Sequence, residues 1–262
     1  MPKGELLLRM KLTFLGTGTS VGVPVIGCKC EVCCSPDKRN HRLRPSVLLE
    51  INNNNILIDT STDFRQQALL YDINRIDAIL FTHAHADHIF GLDEMRIYNY
   101  LQGGTIPCYG NRLTINRLRE IFRYIFTASP DSTGVPKITT HIIEEKFKLF
   151  GQEIYPIEVY HGDSKILGYR VGSLAYITDC SRIEEDSLLL LQGLNIFVLG
   201  TLRYKPHPTH LSLSQALEVV ARVHSRRTYL THLSHDFEYT KVSRELPPGI
   251  HLAYDGLELV SE

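Results

Sequence analysis

Residues 82–88 read Thr-His-Ala-His-Ala-Asp-His, directly after the short apolar run 78–81 (AILF). Four ionisable groups within six residues are costly to bury unless something binds them. The intervening alanines are small, so the backbone can fold tightly around a shared ion. His83 and His85 stand two apart in extended backbone at a strand end, where a following turn lets both rings converge on one ion. Asp87 and His88 follow where the next helix begins, and can face a second ion. The bland alternative is a solvated, histidine-rich loop.

The composition narrows the class. In 262 residues, 43% are hydrophobic and 22% charged, an ordinary globular balance with enough length to bury a core without disulfide staples. The 28 basic and 29 acidic residues nearly cancel, so no extended nucleic-acid surface is evident. No apolar run reaches the ~18 residues of a membrane span. Residues 1–9 hold three leucines, too short a stretch for a secretory signal, and Met10 is an alternative start to Met1. Of six cysteines, four fall between Cys28 and Cys34, which reads as metal ligation in a reducing compartment and points to the cytoplasm. Cys108 and Cys180 read as small buried fillers.

Strands are expected at 11–15, 46–51, 55–59, 78–81, 153–160, 166–171, 174–177, 196–199 and 229–231. Helices are expected at 64–71, 93–101, 114–126 and 214–224, the last capped by Ser212 or Ser214. Residues 251–254 and 258–260 read as a closing hairpin through Asp255-Gly256. Residues 21–44 are loop-like. No linker, repeat or charge block divides the chain, so residues 1–262 form one α/β domain: two mixed β-sheets packed face to face with helices outside, a four-layer αβ/βα sandwich.

The His-x-His-x-Asp-His segment resembles the hallmark of the metallo-β-lactamase superfamily. The resemblance implies further ligands at later strand ends: His161 in Tyr160-His161-Gly162-Asp163, Asp179 after Tyr176-Ile177-Thr178, and His232 after Tyr229-Leu230-Thr231. It implies that His83, His85 and His161 hold one divalent ion, that Asp87, His88 and His232 hold another, and that Asp179 bridges them. Asp59 matches a supporting aspartate, although an Asx turn with residues 60–62 explains it nearly as well.

Cys28, Cys30 and Cys33 offer soft thiolates suited to tetrahedral zinc, with Cys34 an alternative to Cys33. Together with Gly16-Thr17-Gly18-Thr19-Ser20 and Gly22-Val23-Pro24, this loop, at about residues 22–44, is similar to the branch containing the phosphodiesterase accessory to bacterial carbon–phosphorus bond cleavage (PhnP-like). There a late histidine completes a structural zinc site, and His235 occupies that place. The glycine-rich turn lacks the lysine of a nucleotide-binding loop and reads as packing near the metals.

The branch implies a phosphodiesterase for small cyclic phosphodiesters, in which a hydroxide shared by two zinc or manganese ions attacks phosphorus. Asp87 could orient that hydroxide. His210, in Pro206-His207-Pro208-Thr209-His210, matches a non-ligand histidine that assists the phosphate or the leaving group. Related phosphodiesterases often pair, so a homodimer is a further expectation. Two readings compete: a transfer-RNA 3′-processing endonuclease, which carries a basic, glycine-rich arm not visible before His161, and a non-catalytic metal-binding module. Elemental analysis of protein purified without chelators should find three ions per chain, counting the dinuclear site and the cysteine cluster. A reproducible content of one or none removes the basis for the mechanism.

Overall fold

The computed structural model describes residues 10–129 and 133–261. The leucine-containing segment 1–9 and the choice of starting methionine lie outside the described residues. The first half runs β1 (Met10–Gly16), β2 (Ser46–Ile51), β3 (Asn54–Ile58), α1 (Phe64–Leu70), β4 (Ala78–Leu80), α2 (Ala86–Ile89), α3 (Met95–Gln102), β5 (Ile106–Gly110), α4 (Arg112–Ile121), α5 (Arg123–Phe126) and β6 (Ile138–Ile142). The second half runs β7 (Phe147–Leu149), β8 (Gln152–His161), β9 (Ser164–Val171), β10 (Leu174–Ile177), α6 (Glu185–Leu190), β11 (Ile196–Gly200), α7 (Leu213–Val223), β12 (Arg227–Thr231), α8 (Tyr239–Glu245), β13 (Ile250–Leu252) and β14 (Glu258–Ser261).

Among the described residues these strands form two seven-stranded sheets, ordered β14-β1-β2-β3-β4-β5-β6 and β13-β12-β11-β10-β9-β8-β7. Each is antiparallel on one side and parallel on the other, the change falling at β3 in the first sheet and at β10 in the second. The strands around the change, such as Ile196–Gly200 (IFVLG), are buried throughout, as expected where a sheet is covered on both faces. Leu12, Phe14, Leu49, Ile58 and Leu80 of one sheet share a core with Leu167, Tyr169, Tyr176 and Val198 of the other. Separate apolar clusters lie under the helices on each outer face. The result is the expected four-layer α/β arrangement. No described helix is long and apolar enough to cross a membrane.

Several local expectations change. Residues 251–254 and 258–260 are not a hairpin. β13 pairs in parallel with β12 in the second sheet, whereas β14 pairs with β1 in the first. Residues 253–257 cross between the sheets, and Asp255 fastens the crossing by accepting from Thr17 N (2.9 Å), Thr17 Oγ1 (2.7 Å) and Leu43 N (2.7 Å). The helix expected at 114–126 starts at Arg112, capped by the Asn111 side chain, and breaks at Phe122, where ψ is 39°. Ser212, not Ser214, caps α7, in a capping box with Gln215. Three strands carried too little signal to be read from sequence. β5 contains Pro107, β6 is polar and half-exposed at a sheet edge, and β7 is three residues long.

Asp255→Ala would leave three donors without their acceptor beside the junction of β1 and β14. Losing such an acceptor costs about 1–3 kcal/mol. A clear fall in the urea midpoint, with an unchanged slope, is expected; an unchanged midpoint would show that the crossing holds without Asp255.

Candidate metal centre

The ligand segments all leave the ends of strands that face each other across the inner core. His83 and His85 follow β4, His161 ends β8, Asp179 follows β10 and His232 follows β12. Asp87 and His88 lie on the single turn of α2, and both are buried. Two clusters result, His83–His85–His161–Asp179 and Asp87–His88–Asp179–His232, in each of which the donor atoms lie within 4.8 Å of one another. Asp179 belongs to both. Its Oδ1 lies 3.1 Å from His232 Nε2 and 3.3 Å from His88 Nε2, and its Oδ2 lies 3.9 Å from His83 Nε2. The ring nitrogens His83 Nε2 and His85 Nδ1 approach to 3.0 Å.

The far ring nitrogens are tied back. His88 Nδ1 donates to Asp59 Oδ2 at 2.7 Å, and His161 Nδ1 donates to the carbonyl of Thr209 at 2.8 Å. His83 Nδ1 meets Thr82 Oγ1 at 3.0 Å. Such partners turn the opposite nitrogen of each ring toward the cluster. Asp59 is fully buried, and its carboxylate also accepts from Thr82 N (2.8 Å) and Thr82 Oγ1 (2.7 Å). This is a buried brace for the histidine segment, and the Asx-turn alternative is set aside. The Thr209 carbonyl carried no sequence signal, because the contact is to backbone 48 residues from His161. Asp59 and His232 both have positive φ, 63° and 59°. Two non-glycine residues in this disfavoured region beside one site mark backbone held in place by its surroundings.

Charge follows the same geometry. Burial alone would depress His88, but Asp179, Asp87 and Asp59 outweigh it and hold the imidazole well above its usual range. Burial likewise opposes ionisation of Asp179, yet His232 and His88 keep the carboxyl well below the ordinary carboxylate value. His232 rises to about 9 because Asp179 overcomes its burial. Even so, Asp87 Oδ2, His88 Nε2 and both ring nitrogens of His232 are buried without a hydrogen-bond partner. Unpaired buried polar atoms are rare in proteins, and donors of this kind facing one another fit divalent metal ions.

The cysteine cluster has its own geometry. Cys28, Cys30 and Cys33 place Sγ at 3.3, 3.5 and 3.4 Å from His235 Nδ1. Cys34 is exposed and outside this group, so the geometry places Cys33, not Cys34, beside His235. Buried Arg42 donates to the carbonyls of Ser234 (3.0 Å) and Phe237 (2.7 Å), on either side of His235. The glycine-rich turn grips the same segment: Leu233 N donates to Thr17 O at 2.8 Å, and Thr19 N to Leu233 O at 3.3 Å. A side chain at Gly18 would place Cβ 2.7 Å from Arg42 O, so the approach requires glycine. The turn therefore packs against the loop carrying His232 and His235.

His210 lies against the histidine–aspartate cluster. Its ring stacks on His232 (4.9 Å, 17°), stands edge-on to His161 (4.7 Å), and brings Nδ1 to 4.0 Å from Asp179 Oδ2. His207 stays outside the cluster, its Nδ1 accepting from Thr209 N at 3.3 Å.

The profile of the β-lactamase superfamily domain matches residues 54–233. A Porphyromonas gingivalis protein named octanoyltransferase is 36% identical over 255 residues, covering 96% of this chain and 51% of that protein. A ribonuclease Z of Methanococcus maripaludis is 28% identical over 172 residues, 64% of this chain and 48% of the relative. The chain spans about half the length of these curated relatives. A crystal structure described as a new diphosphatase from the PhnP family superposes with a TM-score of 0.91 at 45% identity, over 97% of both chains. The chain belongs to the metallo-β-lactamase superfamily. Within it the chain falls in the PhnP-like branch.

Asp59→Ala should weaken divalent-ion binding about 10–100-fold, the usual cost of losing the partner of a ligating histidine. Competition with a chromogenic chelator measures it, and an affinity equal to wild type would mean that Thr82 alone suffices to hold the histidine segment.

Proposed function

We propose that this protein is a dinuclear metal-dependent phosphodiesterase acting on small, cyclic phosphodiesters. The observation that carries the reading is the convergence of seven donor residues on two clusters that share Asp179. His83, His85 and His161 would hold one ion, Asp87, His88 and His232 the other, and Asp179 would reach both. Zinc and manganese both accept mixed histidine and carboxylate donors. Three thiolates with His235 suit a structural zinc. When bound, two divalent ions polarise a phosphoryl group and activate water at neutral pH.

The chain's own side chains account for the remaining steps. Asp59 and the Thr209 carbonyl fix the rings of His88 and His161, so the donors need no rearrangement when substrate arrives. Burial would raise Asp87, but the neighbouring His88 and His232 hold it well below the carboxylate range, and a divalent ion in place of their protons would keep it ionised. Asp87 is thus an anion that can orient the hydrogen of an attacking water. Burial, aided by the neighbouring His232, holds His210 down to about 3, so its imidazole is neutral near pH 7. Of the two roles open to His210, this favours a neutral N–H donating to a phosphoryl oxygen over protonation of the leaving group.

A small substrate fits the surroundings. β8 runs without interruption into His161, and β9 follows after Gly162-Asp163, leaving no basic arm. The formal net charge of −1 offers no broad attraction for a polyanion. Similarity at 45% identity to a PhnP-family diphosphatase supports a phosphorus-centred reaction. The octanoyltransferase name belongs to a protein of which about half lies outside the match. Ribonuclease Z relatives support the nuclease alternative, which predicts cleavage of a transfer-RNA precursor in preference to small diesters.

The test is a hydrolysis screen of cyclic nucleotides, ribose cyclic phosphate, a chromogenic diester and precursor transfer RNA, with defined zinc or manganese. Small diesters should turn over and Asp179→Ala should not act on them; exclusive cleavage of the RNA would overturn the proposal. His210→Ala should lower kcat about 10²–10³-fold, the cost of one oxyanion donor, with metal content unchanged. The loss should be similar for nitrophenolate and alkoxide leaving groups. A loss concentrated on the alkoxide would return His210 to the role of proton donor.

A further inference from the structure

Phe90, Leu113 and Ile121 are 50%, 65% and 37% exposed, and all three line one cleft of about 380 Å³. The inner wall of this cleft is formed by His83, His85 and His161, so whatever fills it lies against the metal ligands. Arg117 of α4, Lys165 of β9 and buried Ile166 also line it. Phe90 directly follows α2, and its ring meets the buried ring of Phe122 edge-on at 6.0 Å and 88°. It is therefore held in place while half of it faces solvent.

Single exposed apolar residues are ordinary, but a group of them beside a polar cluster marks a ligand surface. The volume falls within the ~300–1,000 Å³ typical of small-molecule sites. Arg117 and Lys165 already pair with Glu120 (2.6 Å) and Glu158 (2.7 Å), and an alkyl group would cover the apolar wall but bring no anion to the histidine cluster. A bare sugar phosphate would leave the apolar wall in water. A nucleobase carries apolar faces and polar edges, and its sugar phosphate brings the anion that the metal cluster requires. Arg117 offers N–H donors to the polar edge of such a ring.

We infer that this cleft holds the base of a nucleoside phosphodiester, with Phe90 and Leu113 against its faces and Arg117 at its edge. The substrate is then a nucleoside cyclic phosphate in preference to ribose cyclic phosphate. The identity of the scissile group rests on the phosphodiesterase reading above; the base subsite rests on the cleft.

The experiment is calorimetric titration of the metal-loaded protein with adenosine 5′-monophosphate and, separately, ribose 5-phosphate. Stacking of one base predicts binding of the nucleotide roughly 10–100-fold tighter than the sugar phosphate. Phe90→Ala and Leu113→Ser should each remove most of that advantage. Leu113 is exposed, so its change does not threaten the fold if Phe90→Ala proves unstable. Equal affinity for the two ligands in wild type, or a folded Leu113→Ser variant that keeps the full advantage, overturns the inference. Turnover of a chromogenic diester by wild type is scored separately. A base preference without turnover supports the subsite and removes the hydrolase reading, whereas turnover without a base preference does the reverse.

Discussion

The structure depends on keeping Asp179 charged where water is excluded. A carboxylate so deeply buried survives only among positive or polar partners. Here it has His88 and His232 within 3.3 Å, and Thr178 Oγ1 donates to it at 2.8 Å. His232 follows β12 of one sheet, whereas His88 stands on α2, shortly after β4 of the other, so each is placed by the core beneath it. The inner apolar core and the polar cluster at its edge are therefore one construction. The sandwich brings the strand ends together, and the cluster gives their charges partners. Gly200 illustrates the tolerance: a Cβ there would lie 2.5 Å from the Thr178 carbonyl, one residue before Asp179.

Much of this was legible from spacing alone. The segment from His83 to His88 was readable because its ligands are local and its strand is a plain apolar run. His161, Asp179 and His232 were readable only in company, since each alone is an ordinary polar residue after a strand. The destination of residues 258–260 was not legible. Asp255-Gly256 looks like a hairpin turn, and nothing local reveals that Thr17 and Leu43 wait to bind the aspartate. β6 was missed because an edge strand of threonines and a histidine has no apolar period. The wall of Phe90, Leu113 and Arg117 was missed for a different reason. On a helix surface these residues look like ordinary amphipathic packing, and only the fold shows that they border the metal ligands.

The two metal clusters are also less separate than their sequence positions suggest. His232 and His235 stand three residues apart on one loop, held by Arg42 from one side and by the glycine-rich turn from the other. The backbone that joins the two clusters is the same stretch that holds His232 at positive φ.

The pairing of Met10 with Ser261 carries a consequence for how the molecule comes into being. Contacts between such distant positions close late, because the loop entropy of bringing them together comes before any reward. During synthesis, β1 must wait for the last strand before its outer edge is covered, and until then that edge can pair with a stranger. A ribosome that has released only the first half holds His83, His85, Asp87 and His88 without Asp179 between them. Metal delivered at that moment would meet only four of the seven donor residues.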